Sequence, residues 1–178
     1  LATITQAQDF YVGSTGSVTI TPAAYVYAGS NVNVFTHATD SNLDGSLTAE
    51  SNLINSSSFL VPSGSVTGNV TYNRYVATGA LGDGVNIGSK WHLVSAPVGT
   101  EDAATFAAAN LIDSKIVGGA TKYALAYYRN DKPYNGTTET KWEYYTSAFS
   151  ENFVPGEGYS MHRSAEGNFS FKGLIFLS

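Results

Sequence analysis

The sequence predicts an all-β protein, with a short-rung β-solenoid-like N-terminal part followed by a β-sandwich-like unit with one short helix. Three observations carry this. The 178 residues include 20 Ser, 18 Thr, 13 Asn and 18 Gly, while charged residues make up only 13%, about half the share of an ordinary soluble domain. Hydrophobic residues reach 43% and aromatics 13%, enough for a core and too many for disorder. Apolar residues fall in short pairs at strand spacing rather than in a helical stripe.

Charge divides the chain. Residues 1–73 contain no Lys or Arg and four acids, Asp9, Asp40, Asp44 and Glu50; all nine basic residues follow, beginning at Arg74. Together with the strand pattern, this predicts a solenoid-like repeat region over 1–70 and a sandwich-like domain over 71–178. The net charge of −5 excludes a protein that seeks nucleic acid through its phosphates. The chain has no Cys, which excludes disulfides and thiolate metal sites. It holds no apolar run approaching the roughly 20 residues of a membrane helix, so no membrane insertion is expected. Without an initiator Met or a signal peptide before Leu1, it reads as a mature or excised piece of something longer.

In the first region the apolar pairs are Phe10 and Val12, Val18 and Ile20, Tyr25 and Tyr27, Val32 and Val34. After residues 35–46 they resume with Leu47, Leu53, Phe59 and Val61, Val66, then Val70 and Tyr72. Turn strings such as Gly13-Ser14-Thr15-Gly16-Ser17 and Pro62-Ser63-Gly64-Ser65 separate them. Strands this short cannot bury a core alone, but stacked as successive faces of a coil each turn covers the next. The competing meander of hairpins needs Asn-Gly or Asp-Gly turns, and only Asp44-Gly45 fits. Val18, Ile20, Tyr25, Tyr27, Val32 and Val34 are expected to point inward.

The second region has longer strands: 70–76, then 91–98 ended by Pro97, then 123–129 and 140–147, 159–163, and a final pair through Phe169, Phe171, Leu174 and Phe176. Thr100-Glu101-Asp102 reads as a helix start, a hydroxyl cap followed by two acids, leading into an Ala-rich helix to about Asn110. The apolar ends of the chain, Ile4 to Val18 and Phe169 to Leu177, are expected to be open and to favour head-to-tail contact.

Three segments carry a family resemblance: Gly68-Asn69-Val70-Thr71-Tyr72-Asn73-Arg74-Tyr75-Val76, Trp91-His92-Leu93-Val94-Ser95-Ala96-Pro97-Val98 and Gly156-Glu157-Gly158-Tyr159-Ser160-Met161. In this order they resemble a β-repeat plus sandwich module of large secreted and cell-surface proteins of Bacteroidota, similar to adhesin-like type IX secretion substrates. The resemblance spans about Ala49 to Phe171. It implies export to the cell surface or beyond, and a structural or adhesive role.

Candidate sites are few. Asp40-Ser41-Asn42-Leu43-Asp44-Gly45 matches the first half of a calcium loop. Ser51 stands where the closing carboxylate belongs and no helices flank the loop, so no cofactor is expected and an Asx-rich turn is preferred over calcium at Asp40, Asn42 and Asp44. His37, His92 and His162 have no metal spacing and are read as ordinary imidazoles. Ser95 and Ser160 lack a nucleophile context. The glycines from Gly79 to Gly88 lack the Lys and helix of a phosphate loop. Glu139 and Glu143 are read as solvent-facing charges rather than a glycosidase pair. Tyr127, Tyr128, Tyr134, Trp142, Tyr144 and Tyr145 cluster on one hairpin, where an aromatic platform for sugars competes with plain packing.

The sequence therefore predicts no enzyme. It predicts a non-catalytic extracellular or cell-surface structural or adhesion module whose partners are copies of itself or adjacent domains of a longer chain, a filament building block being one form. The alternative is a carbohydrate-binding module using the aromatic hairpin 127–145 to hold surface glycans.

Overall fold

The computed structural model describes residues 9–28, 31–34, 36, 39, 44–61, 65–76, 91–131 and 141–175. Among the described residues the chain is mostly β with one helix. Its strands are β1 (Phe10–Val12), β2 (Ser17–Ile20), β3 (Tyr25–Tyr27), β4 (Val32–Val34), β5 (Ser46–Ala49), β6 (Ser58–Leu60), β7 (Val66–Thr67) and β8 (Val70–Val76). After β9 (Trp91–Ser95) comes α1 (Ala103–Ala109), followed by β10 (Ser114–Val117), β11 (Ala120–Tyr128), β12 (Trp142–Thr146), β13 (Gly158–His162) and β14 (Gly167–Gly173). Packing separates two units. The first takes Leu1–Tyr75, Pro97–Thr100 and Gly167–Ser178, and the second Val76–Ala96 and Glu101–Glu166.

In the first unit, strands do not pair with their neighbours in sequence. β1 pairs in parallel with β4, and β4 with β7; β2 pairs in parallel with β5, and β5 with β8; β3 pairs in parallel with β6. Each strand thus meets the third strand along, and the registers hold like residues in rows: Phe10, Val32 and Val66; Val18, Leu47 and Val70; Val26 and Phe59. These rows from three sheets converge on one cluster, with Val12, Ile20, Val32, Val34, Leu47 and Val70 buried at its centre. Fully burying a Val or Leu stabilises by about 1.5–3 kcal/mol, which strands of three or four residues need to be held at all. β3 departs from expectation. Tyr25 and Tyr27 are 42% exposed, and Val26 between them packs on the core. The register sets Val26 opposite Phe59, and alternation then turns both tyrosines outward.

Two close approaches explain glycines. A Cβ on Gly68, whose φ is +78°, would lie 1.9 Å from the Val34 carbonyl oxygen. A Cβ on Gly45 would lie 2.8 Å from the carbonyl oxygens of both Val12 and Gly13. Chain stacking on chain requires both.

Part of the C-terminal apolar segment is packed into the first unit, and residues 176–178 lie outside the described residues. β14 lies beside β8 in the sheet that continues through β5 to β2, and Phe169 and Phe171 are fully buried. Polar side chains also run across these strands: the Ser170 hydroxyl donates to Asn73 Oδ1 at 2.6 Å, and Asn73 Nδ2 donates to Glu50 Oε2 at 3.0 Å.

In the second unit the described strands form one antiparallel sheet, β10-β11-β13-β9 with β12 on β11. α1 packs against β11 and β12. Its Phe106 meets Phe153 edge-on at 5.1 Å, and Phe153 meets Tyr159 of β13 at 4.9 Å. The helix cap is Asp102, not Thr100: the Asp102 carboxylate accepts from Thr105 N–H at 2.8 Å. Thr100 belongs to the first unit, where its hydroxyl accepts from Leu174 N–H at 3.1 Å. Ala103–Ala109 then continues on strong helix formers until Asn110 closes it, its own side chain donating to Phe106 O at 2.9 Å.

Candidate functional site

The sheet of the second unit sorts its aromatic residues by strand parity. One cross-strand row reads Val94, Tyr159, Tyr127, Glu143, and another reads His92, Met161, Leu125. Tyr159, Met161, Leu125 and Tyr145 on this side are buried. Burial pushes the Tyr159 phenol up to about 12 and the Tyr145 phenol higher still. The Tyr159 hydroxyl accepts from Val154 N–H at 2.8 Å and donates to Glu157 at 3.0 Å, so this side is core.

The opposite row reads Leu93, Ser160, Ala126, Tyr144, with Trp91 opposite His162 and Tyr128 opposite Trp142. Its side chains reach solvent: Leu93 is 77% exposed, Trp91 47% and Tyr128 44%. β13 and β11 separate β9 from β12, a gap of three strand spacings or about 14 Å. Yet the Trp91 and Tyr144 rings meet edge-on at 6.2 Å. The two rings close that distance by leaning toward each other across the open side of the sheet, Trp91 beside its register partner His162 at 5.7 Å.

Around this pair lies a cleft of about 370 Å³ lined by Trp91, Asp113, Ser114, Lys115, Lys122, Tyr123, Ala124 and Tyr144. The β10–β11 hairpin forms one wall, closed by Gly118 and Gly119 at φ +60° and +83°. Two successive positive φ values are the mirror-image turn that matches strand twist. Lys115 and Lys122 stand directly opposite each other on this hairpin, so both ammonium groups rise from the same face. Lys122 Nζ sits 4.5 Å from the centre of the Tyr144 ring, a cation–π contact. On the other wall, His162 Nδ1 and Asp113 Oδ2 are 2.5 Å apart, and the imidazole lies 5.7 Å from the Trp91 indole. His162 Nε2 is buried without a hydrogen-bond partner, while Nδ1 faces the Asp113 carboxylate.

No family model, curated protein or solved structure matches the chain. The site therefore stands on its own geometry.

The sequence-predicted residues are dispersed. Trp142, Tyr144 and Tyr128 share the open side, whereas Tyr145 packs into the core and Tyr127 lies on the core side; Tyr134 lies outside the described residues. Glu143 is held by Arg129, whose Nη1 donates to it at 2.5 Å while Nε and Nη2 grip Asp131 at 2.7 and 2.5 Å. Asp131 first, then Tyr127 and Glu143, push that guanidinium further up. Glu139 lies outside the described residues, as do His37, Asp40, Asn42 and Gly79–Gly88. Asp44 is half-buried, and the Gly that follows it is required by the approach to Val12 and Gly13. Lys115, Lys122 and Asp113 were not singled out by sequence reasoning. The signal that leads to them is Val117-Gly118-Gly119-Ala120, a two-residue Gly-Gly hairpin turn.

Proposed function

We propose that this chain is a non-catalytic module of an extracellular or cell-surface protein. Its first unit is a short three-faced β-solenoid that serves as a spacer, and its second unit displays a binding face. One observation carries the reading: the parallel, in-register pairing of each strand with the third one along, from β1 through β8. Three sheets around one core, stacked turn on turn, is the construction of a solenoid, and its turns add length rather than a catalytic cleft. In the second unit the described residues give one sheet with a helix packed on it. Export follows the resemblance of the three motif segments to Bacteroidota surface proteins, and the scarcity of charge agrees with it.

Self-contact remains part of this reading. Among the described residues β1 and β7, β2 and β14, and β3 and β6 are terminal strands of their sheets, so they offer backbone edges to a second copy or to an adjacent segment of a longer chain. The direct test is antibody labelling of intact cells that make the protein. Labelling without permeabilisation, abolished by external protease, is expected; labelling only after lysis would overturn the surface assignment.

A second reading is favoured by the exposed side of the second unit, where Trp91, Tyr128, Trp142 and Tyr144 share one face. Aromatic rings grouped on an open face mark a contact surface, and a carbohydrate-binding role uses them as platforms for sugar rings. Trp142→Ala is expected to weaken glycan retention; unchanged retention on an array would remove Trp142 from that surface.

A further inference from the structure

We propose that the cleft between Trp91, Asp113, Lys115, Lys122 and Tyr144 binds an acidic sugar residue of a polysaccharide, a hexuronate or its equivalent. The inference rests on the carbohydrate-binding reading above and names both the site and the class of sugar. Four features converge. The cleft volume of about 370 Å³ falls within the range of about 300–1,000 Å³ typical of small-molecule sites. Trp91 is braced from two directions, by Tyr144 and by His162, and remains 47% exposed. An indole already fixed in place offers its apolar surface without the ordering cost that a free side chain would bear. Asp113, oriented by His162, contributes a carboxylate able to accept hydrogen bonds from sugar hydroxyls.

The charge of the sugar follows from the lysines. Like charges placed directly opposite on an antiparallel pair destabilise it, yet Lys115 and Lys122 are so placed in a chain with only nine basic residues. A carboxylate between them relieves that repulsion and gains charge-assisted hydrogen bonds. The overall charge of −5 and the carboxylate of Asp113 in the same cleft disfavour a dense polyphosphate. A ring bearing a single negative charge and several hydroxyls fits all of these groups at once.

Calorimetric titration of the whole chain with a hexuronate oligosaccharide and with its neutral methyl ester tests the proposal without any variant. The acid form is expected to bind about tenfold or more tightly than the ester, the loss of one charged hydrogen bond, with affinity falling as salt rises. The double change Lys115→Met, Lys122→Met should abolish that preference, while Lys172→Met in the other unit should leave it intact. Equal binding of acid and ester would overturn the acidic-sugar inference and leave the carbohydrate reading standing. Binding of neither would overturn both. Displacement by equimolar inorganic sulfate would mean a simple anion site, and would overturn the sugar.

Discussion

Asn31 takes two hydrogen bonds from Ser65 on a single oxygen: its Oδ1 accepts from the Ser65 backbone N–H at 3.0 Å and from the Ser65 hydroxyl at 3.1 Å. On its other side, Asn31 donates from its backbone N–H and its Nδ2 to Asp9 Oδ1 at 3.2 and 3.1 Å. Asp9, Asn31 and Ser65 each stand one residue before β1, β4 and β7, so the ladder of side chains follows the ladder of strands. A residue between two others in such a stack has its donors and acceptors assigned from both sides, which fixes register as well as adding stability.

Asn31→Ala should therefore cost about 1–2 kcal/mol, the loss of these bonds less their solvation in the unfolded chain. Asn31→Asp should cost more near neutral pH, because it sets a second carboxylate against Asp9. Urea unfolding followed by a probe in the first unit measures both, and equal stability of the two variants would show that Asp9 is not a neighbour.

Gly68→Ala should be far more damaging than Gly118→Ala. Both glycines have positive φ, which costs a side chain about 1–2 kcal/mol. Only at Gly68 does the added carbon also collide with backbone, 1.9 Å from Val34 O, whereas nothing lies within 4 Å at Gly118. The Gly68 variant should lose about 3 kcal/mol or more, and hydrogen exchange should report opening of β4 and β7 together. Similar losses for the two variants would contradict this stacking.

The facing of β3 is tested by a pair of changes. Val26→Asp buries an unpaired carboxylate beside Phe59 and should unfold the first unit or cost about 3 kcal/mol. Tyr25→Ser, at an exposed position, should stay within about 0.5 kcal/mol of the parent. If the tyrosine change proved the costlier, the strand would have to face the other way.

Asp102 ties stability to pH in the second unit. Burial alone would raise its pKa, but hydrogen bonds from Ser150, Thr105 and Ala104 outweigh it and hold the carboxyl below its ordinary 3.8. The unfolded chain therefore takes up a proton first as pH falls. The stabilisation is complete above about pH 4 and is lost as pH drops through the folded-state value. Asp102→Ala should cost about 1 kcal/mol at pH 7, and the difference from the parent should shrink in acid. A penalty constant down to pH 2 would mean that the charge contributes nothing.

The all-β class, the short strands of the first region and the position of the one helix were legible in the residues themselves. Period-two apolar pairs, Gly- and Ser-rich turns and a run of alanines are local signals, and local signals survive without partners. The sequence offers two good helix caps two residues apart, Thr100 and Asp102. The choice fell to which of them the surrounding chain could spare, and Thr100 is engaged with Leu174.

Other features had no local trace. Tyr25-Val26-Tyr27 is apolar at both parities, so alternation says that Val26 opposes the tyrosines without saying which side is inside; Phe59, 33 residues away, decides it. β14 reads as an apolar tail until β8 pairs with it and buries Phe169 and Phe171. The cleft gathers Trp91, Asp113, Lys115, Lys122 and Tyr144 from four strands and a connecting segment, and no spacing along the chain announces them. Composition and periodicity determined what kind of structure this chain builds. Long-range strand pairing decided which residues share a face, because backbone hydrogen bonds are the same at every register and only the side chains that meet across them distinguish one register from the next.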